Sequence, residues 1–416
     1  MRFSNEIELK DVSEYSKEKI NIEEINISNY VSTENLLPGI GGKVISSGLP
    51  SKGKATKYCK GDILISNIRP YFKKIWQADN EGGSSNDVLV LKAKRNIENK
   101  FLYYNLACSE FFDYVMSGAK GTKMPRGDKN HILGYKLNHP PLQEQKAIAH
   151  ILSTLDDKIE VNNQINKTLE NMAQTIFKQW FVDFEFPNED GEPYKSSGGE
   201  MVESELGMIP KGWGVKKSSD IANVNIGKTP PRKEKECFTL DPDDYKWISI
   251  KDLGNSGAYI FDSSEYLTKE SIEKYNVKVV PDNTVVLSFK LTIGRVSITC
   301  GQMTTNEAIA HFNLTNKSKI TTEYLYLYLK SFDYGKLGNT SSMANAVNSK
   351  IIKAMPIIVP DNKTIKTFSE VMESVFSKIK YTIKQSDKLI EIRDSLLPKL
   401  MSGEIRVPLD EEGDAS

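Results

Sequence analysis

The sequence of 416 residues predicts an α+β fold in which two globular α/β domains are separated by two long helices that form an antiparallel coiled-coil pair. Three observations support this prediction. The two halves of the chain match each other at an offset of 220 positions, each half begins with short β-rich runs, and each half ends in a long helical pattern. The chain is therefore expected to be an internal repeat with pseudo-twofold symmetry.

The repeat extends through the β-rich and the helical parts of each half. With a two-residue gap, it aligns GDILISNIRPYF (61–72) with PDNTVVLSFKLTIG (281–294). A match of this extent indicates a duplication. Matching pairs at the offset of 220 include Asn86 with Asn306, Asp87 with Glu307, Gly118 with Gly338, Ile132 with Ile352, Pro140 with Pro360, Ile159 with Ile379 and Leu169 with Leu389.

The order of elements is the same in each half. Short β-rich runs end at Gly, Asn or Pro, and one short helix follows, predicted at 101–116 and again at 322–332. A Pro-containing stop and a long helix complete each half. The predicted boundaries are a first globular domain at 1–140, a central long helix at 141–183, an exposed acidic linker at 184–208, a second globular domain at 209–360, a distal long helix at 361–403 and a loose acidic tail at 404–416.

The two long helices carry a heptad pattern, with seam positions in alternating steps of four and three. A helix of about 40 residues is roughly 60 Å long, and one with a single apolar stripe must pair with another helix to bury it. The alternative is that the two helices lie in separate cores. We expect antiparallel pairing that brings the polar slots Asn162 and Asn166 near Thr382 and Ser386. The predicted seam consists of Ile148, Leu152, Leu155, Ile159, Asn162, Asn166, Leu169 and Ile176 in the first helix and Phe368, Val375, Ile379, Thr382, Ser386, Leu389 and Leu396 in the second.

Basic and acidic residues balance in number but are unevenly placed. The chain has 55 Lys and Arg against 55 Asp and Glu, so a bulk basic excess is excluded. Basic residues crowd the segments 43–74 and 116–130 and recur near matching positions of the second half, where the loop 338–350 is polar more than cationic. Such runs are often solvated surface, but their recurrence favours phosphate binding. The candidate DNA-binding residues are Lys43, Lys52, Lys54, Lys57, Arg69, Lys73, Lys120, Lys123, Arg126, Lys228, Arg232, Lys290 and Arg295.

The sequence contains no recognisable catalytic, metal or cofactor site. The run ANVNIGKT (222–229) loosely resembles a phosphate loop, but two prolines follow it where a helix is needed. The four histidines and four cysteines lack the spacing of metal ligands, and no Cys-x-x-Cys occurs. We therefore expect no catalytic residue, no cofactor and no metal ion.

The sequence also indicates a cellular location. Its first residues, MRFSNEIELK, differ from a signal peptide, and no stretch approaches the roughly 18 apolar residues of a spanning helix. Widely separated cysteines are typical of a reducing compartment. The expected location is the cytoplasm, without membrane contact.

The helical and linker sequences resemble a known family, the specificity subunits of type I restriction-modification enzymes. The resemblance is carried by HPPLQEQKAIAHILSTLDDKIEVNNQINKTLENMAQTIFKQWFVDFEF (139–186) and ELGMIPKGW (205–213), and RDSLLPKLMSGEIRV (393–407) is similar to the distal helix of that family. GDILISNIRPYF and GKTPPR (227–232) are also family-like. The second helix departs from the pattern, because Arg393 occupies a seam slot and PDNKTIKTF stands where the first half has PPLQEQKAI.

The resemblance implies two target-recognition domains, each reading one half of a split, asymmetric duplex DNA site. It further implies that the helices set the separation of the domains and bind methyltransferase (modification) subunits, and that restriction/translocase subunits join the complex. No base contact carries over, because the recognition domains of the family vary. The predicted function is that of a non-catalytic DNA-specificity subunit, and the alternative is a coiled-coil scaffold or adaptor without specific DNA binding.

Three aromatic residues at the end of the first helix suggest where partners dock. Phe177, Phe181 and Phe184 exceed what a two-helix seam can bury. Surplus apolar surface beside a long helix often marks an interface. We therefore predict that these residues dock the methyltransferase, and the alternative is that they pack on their own recognition domain.

Overall fold

Short strands and two long helices form the computed structural model, which describes residues 5–316, 318–337 and 347–408. The predicted α+β class is confirmed. The helices are α1 (Leu9–Val12), α2 (Asn99–Leu106), α3 (Ser109–Ser117), α4 (Lys129–Leu133), α5 (Leu142–Phe181), α6 (Ser218–Ile221), α7 (Ile250–Asn255), α8 (Lys269–Tyr275), α9 (Thr322–Ser331), α10 (Ser349–Ala354) and α11 (Asn362–Ser402). The strands are β1 (Glu6–Glu8), β2 (Ser13–Tyr15), β3 (Lys19–Asn21), β4 (Tyr30–Val31), β5 (Lys54–Tyr58), β6 (Ile63–Ser66), β7 (Ile75–Gln77), β8 (Gly82–Ser84), β9 (Val88–Ala93), β10 (Lys136–Asn138), β11 (Met201–Ser204), β12 (Gly207–Pro210), β13 (Gly214–Lys217), β14 (Ala222–Ile226), β15 (Phe238–Thr239), β16 (Tyr245–Ile248), β17 (Tyr259–Ile260), β18 (Tyr266–Leu267), β19 (Val285–Ser288), β20 (Val296–Thr299), β21 (Thr304–Thr305), β22 (Ile309–Leu314) and β23 (Pro356–Val359).

The chain divides into two compact units, and each unit combines one globular domain with parts of both long helices. The first unit comprises the described residues up to 160 and from 386 onward, and the second comprises 161–385. Both α5 and α11 therefore contribute one segment to each unit. Residues 338–346 of the predicted polar loop and 409–416 of the predicted tail lie outside the described residues.

In the first unit, helices and sheet share one core. The main sheet has the strand order β2-β9-β6-β7, and a second sheet has the order β3-β5-β8-β4. Ile63 of β6 belongs to the same core as Phe101 of α2 and Phe111 of α3. Ile148 of α5 and Leu400 of α11 also belong to it. The apolar stripes of the long helices are therefore buried partly by the domain itself.

The helix predicted at 101–116 is interrupted. Cys108 has extended backbone (φ −136°, ψ 162°), so α2 ends before it and α3 begins after it. The chain turns at this point, and Phe111 and Phe112 are both buried beyond it. Packing of two adjacent aromatic side chains has thus overridden a continuous helical pattern.

The second unit repeats the architecture of the first. Its main sheet, β14-β22-β19-β20-β17, reproduces the order β2-β9-β6-β7 and adds β17 in parallel at the edge. The antiparallel registers also correspond, since Ile63 pairs with Leu91 in the first unit and Val285 pairs with Phe312 in the second. The predicted internal repeat is confirmed at the level of strand order.

Within each unit, the segments of α5 and α11 run antiparallel. In the second unit, Phe181 near the end of α5 packs on Phe368 near the start of α11, with ring centroids 4.8 Å apart. In the first unit, Ile148 near the start of α5 shares a core with Leu400 near the end of α11. The predicted pairing of the two long helices is confirmed.

The segment predicted as an exposed acidic linker is ordered in the second unit. Phe186 is buried and stacks on Trp213, with ring centroids 5.0 Å apart, and on Tyr194 at 4.6 Å. The hairpin of β11 and β12 follows. Most residues of the segment are exposed, and the aromatic residues supply the apolar surface that holds it against the domain.

Candidate nucleic-acid interface

The two basic segments of the first half, 43–74 and 116–130, meet in the first unit. Arg69 N donates to the Pro125 carbonyl at 2.8 Å, and Gly127 N donates to the Asn67 carbonyl at 3.2 Å. A Cβ on Gly127 would lie 2.8 Å from Asn67 Oδ1, so glycine permits the close approach. The turn between β6 and β7 and the loop before α4 therefore form one surface, which contains Arg69, Lys73, Lys120, Lys123 and Arg126.

Two cations of this surface already have acidic partners. Arg126 Nη1 lies 3.2 Å from Asp87 Oδ1, and Lys120 Nζ lies 2.8 Å from Asp128 Oδ2. The hydrogen bond from Lys120, helped by two backbone N–H groups, holds the pKa of Asp128 at about 2. Exposed ion pairs of this kind contribute little to stability, so a phosphate group can replace the acid at small cost.

The other predicted lysines of the first unit differ in how much they are engaged. Lys43 donates to the Ser28 carbonyl at 2.7 Å and lies 4.8 Å from the centre of the Trp76 ring. Lys73 donates to Ser109 Oγ at 2.8 Å. Among the described ranges, the exposed side chains of Lys52, Lys54 and Lys123 form no hydrogen bond or ion pair with another residue, and Lys57 is half-buried on β5. The three exposed lysines are the most available to a polyanion.

The second unit uses two of its predicted cations internally. Arg232 donates to both carboxylate oxygens of Glu265, at 2.9 and 3.0 Å, and lies 4.5 Å over the Trp247 ring. Arg295 is half-buried and donates Nη1 to the Ile250 carbonyl at 2.6 Å. Both arginines thus hold segments of their own domain in place. The predicted residues Lys228 and Lys290 are exposed.

Every predicted seam residue of the long helices is buried or half-buried. In the second unit, the Thr382 hydroxyl donates to Asn166 Oδ1, and Asn162 Nδ2 donates to Gln385 Oε1 at 3.0 Å. Gln385 lies beside a seam slot and was not part of the heptad prediction. Ser386 belongs to the first unit and is buried there. Buried polar groups of this kind fix the register of paired helices.

Two ion pairs of the first unit were missed by sequence reasoning. Arg393 Nη1 donates to Asp156 Oδ1 at 2.8 Å. Glu144, which is 2% exposed, accepts two hydrogen bonds from Arg406, at 2.6 and 2.7 Å. An arginine in a seam slot was a signal for the first pair. The second pair joins residues far apart in sequence, and no motif marks it.

Two of the three phenylalanines predicted to dock a partner are buried within the second unit. Phe177 and Phe181 are 2% and 3% exposed, and both pack on Tyr324 of the second unit. Phe184 is half-buried against Trp213, with ring centroids 5.8 Å apart. The surplus apolar surface at the end of α5 is therefore covered by the second domain.

Three general properties of the described ranges bear on function. They contain no group of three or more His, Cys, Asp or Glu side chains that could hold a metal ion. Within the same ranges, no helix combines the length and the apolar character needed to cross a membrane. The four cysteines are free thiols.

Comparison with known proteins adds sequence relatives and a similar fold. The family model of the type I restriction modification DNA specificity domain matches residues 3–171 and 210–392. The type I restriction enzyme HindI specificity subunit of Haemophilus influenzae is 30% identical over 413 residues, covering 85% of this chain and 88% of that protein. The MjaIX specificity subunit of Methanocaldococcus jannaschii is 28% identical over 371 residues, covering 85% and 81%. The crystal structure of the type I S subunit from M. genitalium has a similar fold, with a TM-score of 0.57 at 15% identity over 95% of this chain and 96% of that one.

Proposed function

The chain belongs to the type I restriction-modification DNA-specificity family, and from this premise we propose that each of its two globular domains reads one half of a split, asymmetric duplex DNA site. As a specificity subunit it is non-catalytic, and it assembles with other subunits of its restriction-modification complex. We propose that these are methyltransferase and restriction/translocase subunits and that the complex works in the cytoplasm.

One observation carries the proposal of two half-sites. The strand order β2-β9-β6-β7 recurs as β14-β22-β19-β20, and the turn between the third and fourth strands of each series carries an exposed basic residue, Arg69 in the first and Lys290 in the second. Two copies of one scaffold suit the reading of two separate segments of one duplex. The domains at 1–140 and 209–360 would be the two target-recognition domains.

Most of the predicted cations would bind phosphate. Lysine and arginine contacts to phosphate position a protein on duplex DNA without reading its sequence. The side chains of Lys52, Lys54 and Lys123 are exposed without an internal partner among the described residues, and Lys120 and Arg126 each pair with one half-buried acid. The proposed phosphate contacts are Lys43, Lys52, Lys54, Lys57, Arg69, Lys73, Lys120, Lys123 and Arg126 in the first unit and Lys228 and Lys290 in the second, with Arg232 and Arg295 as supports.

The paired long helices would determine the spacing between the half-sites. Asn166 and Thr382 are hydrogen-bonded, as are Asn162 and Gln385, so sliding one helix along the other would break both contacts. Leaving such polar groups buried without partners is unfavourable. One register, and hence one preferred spacer length, would follow.

Outward faces of the long helices would dock the methyltransferase. Val161 and Met172 are exposed on α5, and their separation of eleven residues places them on one face three turns apart. Val371 and Tyr381 are exposed on α11. These side chains lie off the seam and are not covered by the globular domain of the second unit. They replace the buried Phe177 as proposed docking residues.

A footprint and a salt titration test the proposal together. Purified chain assembled with its methyltransferase subunits should protect two short segments of a selected duplex, and its affinity should fall steeply with salt because counterions are released from each contacted phosphate. Binding to the protein subunits without DNA protection would favour the coiled-coil adaptor instead. A single continuous footprint would contradict the assignment of one half-site to each domain.

A further inference from the structure

The geometry points to specificity-determining residues in two equivalent turns: residues 67–74 between β6 and β7, and residues 289–295 between β19 and β20. Tyr71 and Phe72 of the first turn and Leu291 of the second would contact base edges in the two half-sites. This inference rests on the proposed function, which it deepens by naming side chains that decide the target sequence.

Both turns present large apolar side chains to solvent. Tyr71 and Phe72 are 47% and 41% exposed, and their ring centroids are 4.6 Å apart. Leu291 is 80% exposed. Isolated exposed apolar residues are common on protein surfaces. Their recurrence at the same connection of two duplicated sheets is the feature that calls for a shared role.

The backbone of both turns is held in an unfavourable conformation at the same position. Arg69 lies three residues after the serine that ends β6, and Leu291 lies three residues after the serine that ends β19. Their φ angles are +51° and +62°. Lys73 is also left-handed, with φ +51°. Residues with a Cβ rarely adopt this region, and such strain clusters at binding sites. Glycine would relieve it, yet all three positions carry long side chains.

A buried serine hydrogen-bonds to the backbone of each turn. Ser66 Oγ donates to the Ile68 carbonyl at 3.1 Å, and Ser288 Oγ donates to the Thr292 carbonyl at 2.5 Å. Both serines are almost fully buried at the ends of β6 and β19. The exposed side chains therefore project from turns that are ordered before binding. A preformed turn loses less conformational entropy when it binds a partner.

The charges around the turns identify duplex DNA as the occupant. The first turn carries Arg69 and Lys73, and Arg126 lies on the neighbouring loop. In the second, Lys290 is exposed beside Leu291. Cations can hold the phosphates on either side of a groove while apolar side chains reach the thymine methyl group or wedge between bases.

Selection from random duplexes tests the inference on the whole chain assembled with methyltransferase subunits. The variants are the double substitution Tyr71→Ala with Phe72→Ala, and the single substitution Leu291→Ala. The first should relax base preference by about 10-fold at one or two positions of one half-site, and the second should do so in the other half-site only. The milder Tyr71→Phe with Phe72→Leu serves if the double alanine variant does not fold.

Matched controls and outcomes keep this inference separate from the proposed function. Leu240, in the loop between β15 and β16, is also 80% exposed, and Ile27 is 48% exposed. Ile27→Ala and Leu240→Ala should leave the selected site unchanged. If the wild-type complex selects no split site, the proposed function fails. If the wild-type complex selects a split site and the turn variants select the same site, the turns do not read bases and the inference is wrong. The same conclusion follows if those variants lose only methyltransferase binding.

Discussion

Arg393 of α11 donates a hydrogen bond to Asp156 of α5 at 2.8 Å, from a position that the heptad pattern reserves for an apolar residue. The other oxygen of Asp156 accepts the hydroxyl of Tyr104 at 2.6 Å. The helix pair of the first unit is thereby tied to α2 of its globular domain. At the offset of 220, the residue that corresponds to Arg393 is Ala173, so the contact is not duplicated.

We predict that Arg393→Leu lowers the free energy of unfolding by about 1 kcal/mol, because Asp156 loses a charged hydrogen-bond donor in a half-buried site. In a cycle with Asp156→Asn, the double variant should lose less than the two single variants together. Urea unfolding of the four proteins measures the coupling. Lys388→Leu, which removes an exposed pair with Glu391 on the same helix, is the control and should change little. Additive losses would contradict the coupling.

Substitutions at the hydrogen-bonded seam residues Asn166 and Thr382 should have different effects on stability. The Thr382 hydroxyl can also donate to the carbonyls of Lys378 and Ile379, at 2.9 and 3.0 Å. Asn166→Leu therefore leaves no orphaned hydroxyl and should maintain or raise the melting temperature. Thr382→Val removes a donor from Asn166 and should lower the free energy of unfolding by about 1 kcal/mol. Melting curves distinguish the two results.

Replacing the whole polar seam should also affect DNA selection. With Asn162, Asn166, Thr382 and Ser386 all changed to Leu, we expect higher thermal stability and a weaker preference for one spacer length, because apolar seams tolerate alternative registers. A series of duplexes with different spacers measures this preference. Thr168→Leu, an exposed substitution on α5, is the control. An unchanged spacer preference would show that the polar slots do not set the register.

The exposed lysines should contribute to binding without contributing to sequence preference. We predict that Lys52→Ala, Lys54→Ala and Lys123→Ala each weaken binding to specific and random duplexes alike. Each should reduce the slope of log affinity against log salt by about one. Lys100→Ala, an exposed lysine outside the basic segments, is the control. Unchanged slopes for all three variants would place the DNA on a different face.

A buried histidine should make the stability of the second unit depend on pH. His311 lies in β22 and shares a hydrogen bond with the Thr305 hydroxyl at 2.5 Å. Burial lowers the pKa of His311 to about 4, whereas an unfolded histidine has a pKa of about 6.5. The native state therefore disfavours the protonated form. Its stabilising contribution is complete above about pH 6.5 and is lost as the pH falls toward 4.

We predict a loss of about 3 kcal/mol between pH 7 and pH 4 from His311 alone, on the basis of that difference in pKa. His311→Gln keeps a hydrogen-bonding side chain that does not titrate, so its stability should fall less over the same range. Urea unfolding at several pH values compares the two proteins. Parallel curves would mean that His311 is not the titrating group.

Periodic and repeated features could be predicted from the sequence because they recur along the chain. The heptad steps placed Asn166 and Thr382 in the seam, and in the structure the Thr382 hydroxyl donates a hydrogen bond to Asn166. The alignment of 61–72 with 281–294 predicted a duplication, and the two main sheets share a common strand order. Such patterns show which face of an element is buried, because buried positions recur at each turn of a helix and at every second residue of a strand.

Features that depend on a distant partner could not be predicted in this way. The apolar character of Phe177 was evident, but its burial depends on Tyr324, which follows nearly 150 residues later in the sequence. Likewise, Arg232 belongs to a basic run, and only the fold brings Glu265 to its guanidinium. A single sequence lists charges and apolar surfaces without showing which of them satisfy each other.

The duplication predicts the behaviour of a fragment ending near Ser204. It would retain one recognition domain and α5, and a second copy of α5 can replace α11. At the offset of 220, Asn162 takes the place of Thr382, so Asn166 of one copy should meet Asn162 of the other, where two amides can pair. Glu144 would lose Arg406, and the dimer should therefore be less stable than the intact helix pair.

Duplex selection with this fragment and its methyltransferase partners, run beside the full chain, tests most directly whether each domain reads its own half-site. The full chain should select an asymmetric split site. The fragment should sediment as a dimer and select a palindrome made of two copies of one of those half-sites, as twofold symmetry requires. A monomeric fragment, or a dimer that still prefers the asymmetric site of the full chain, would contradict this account.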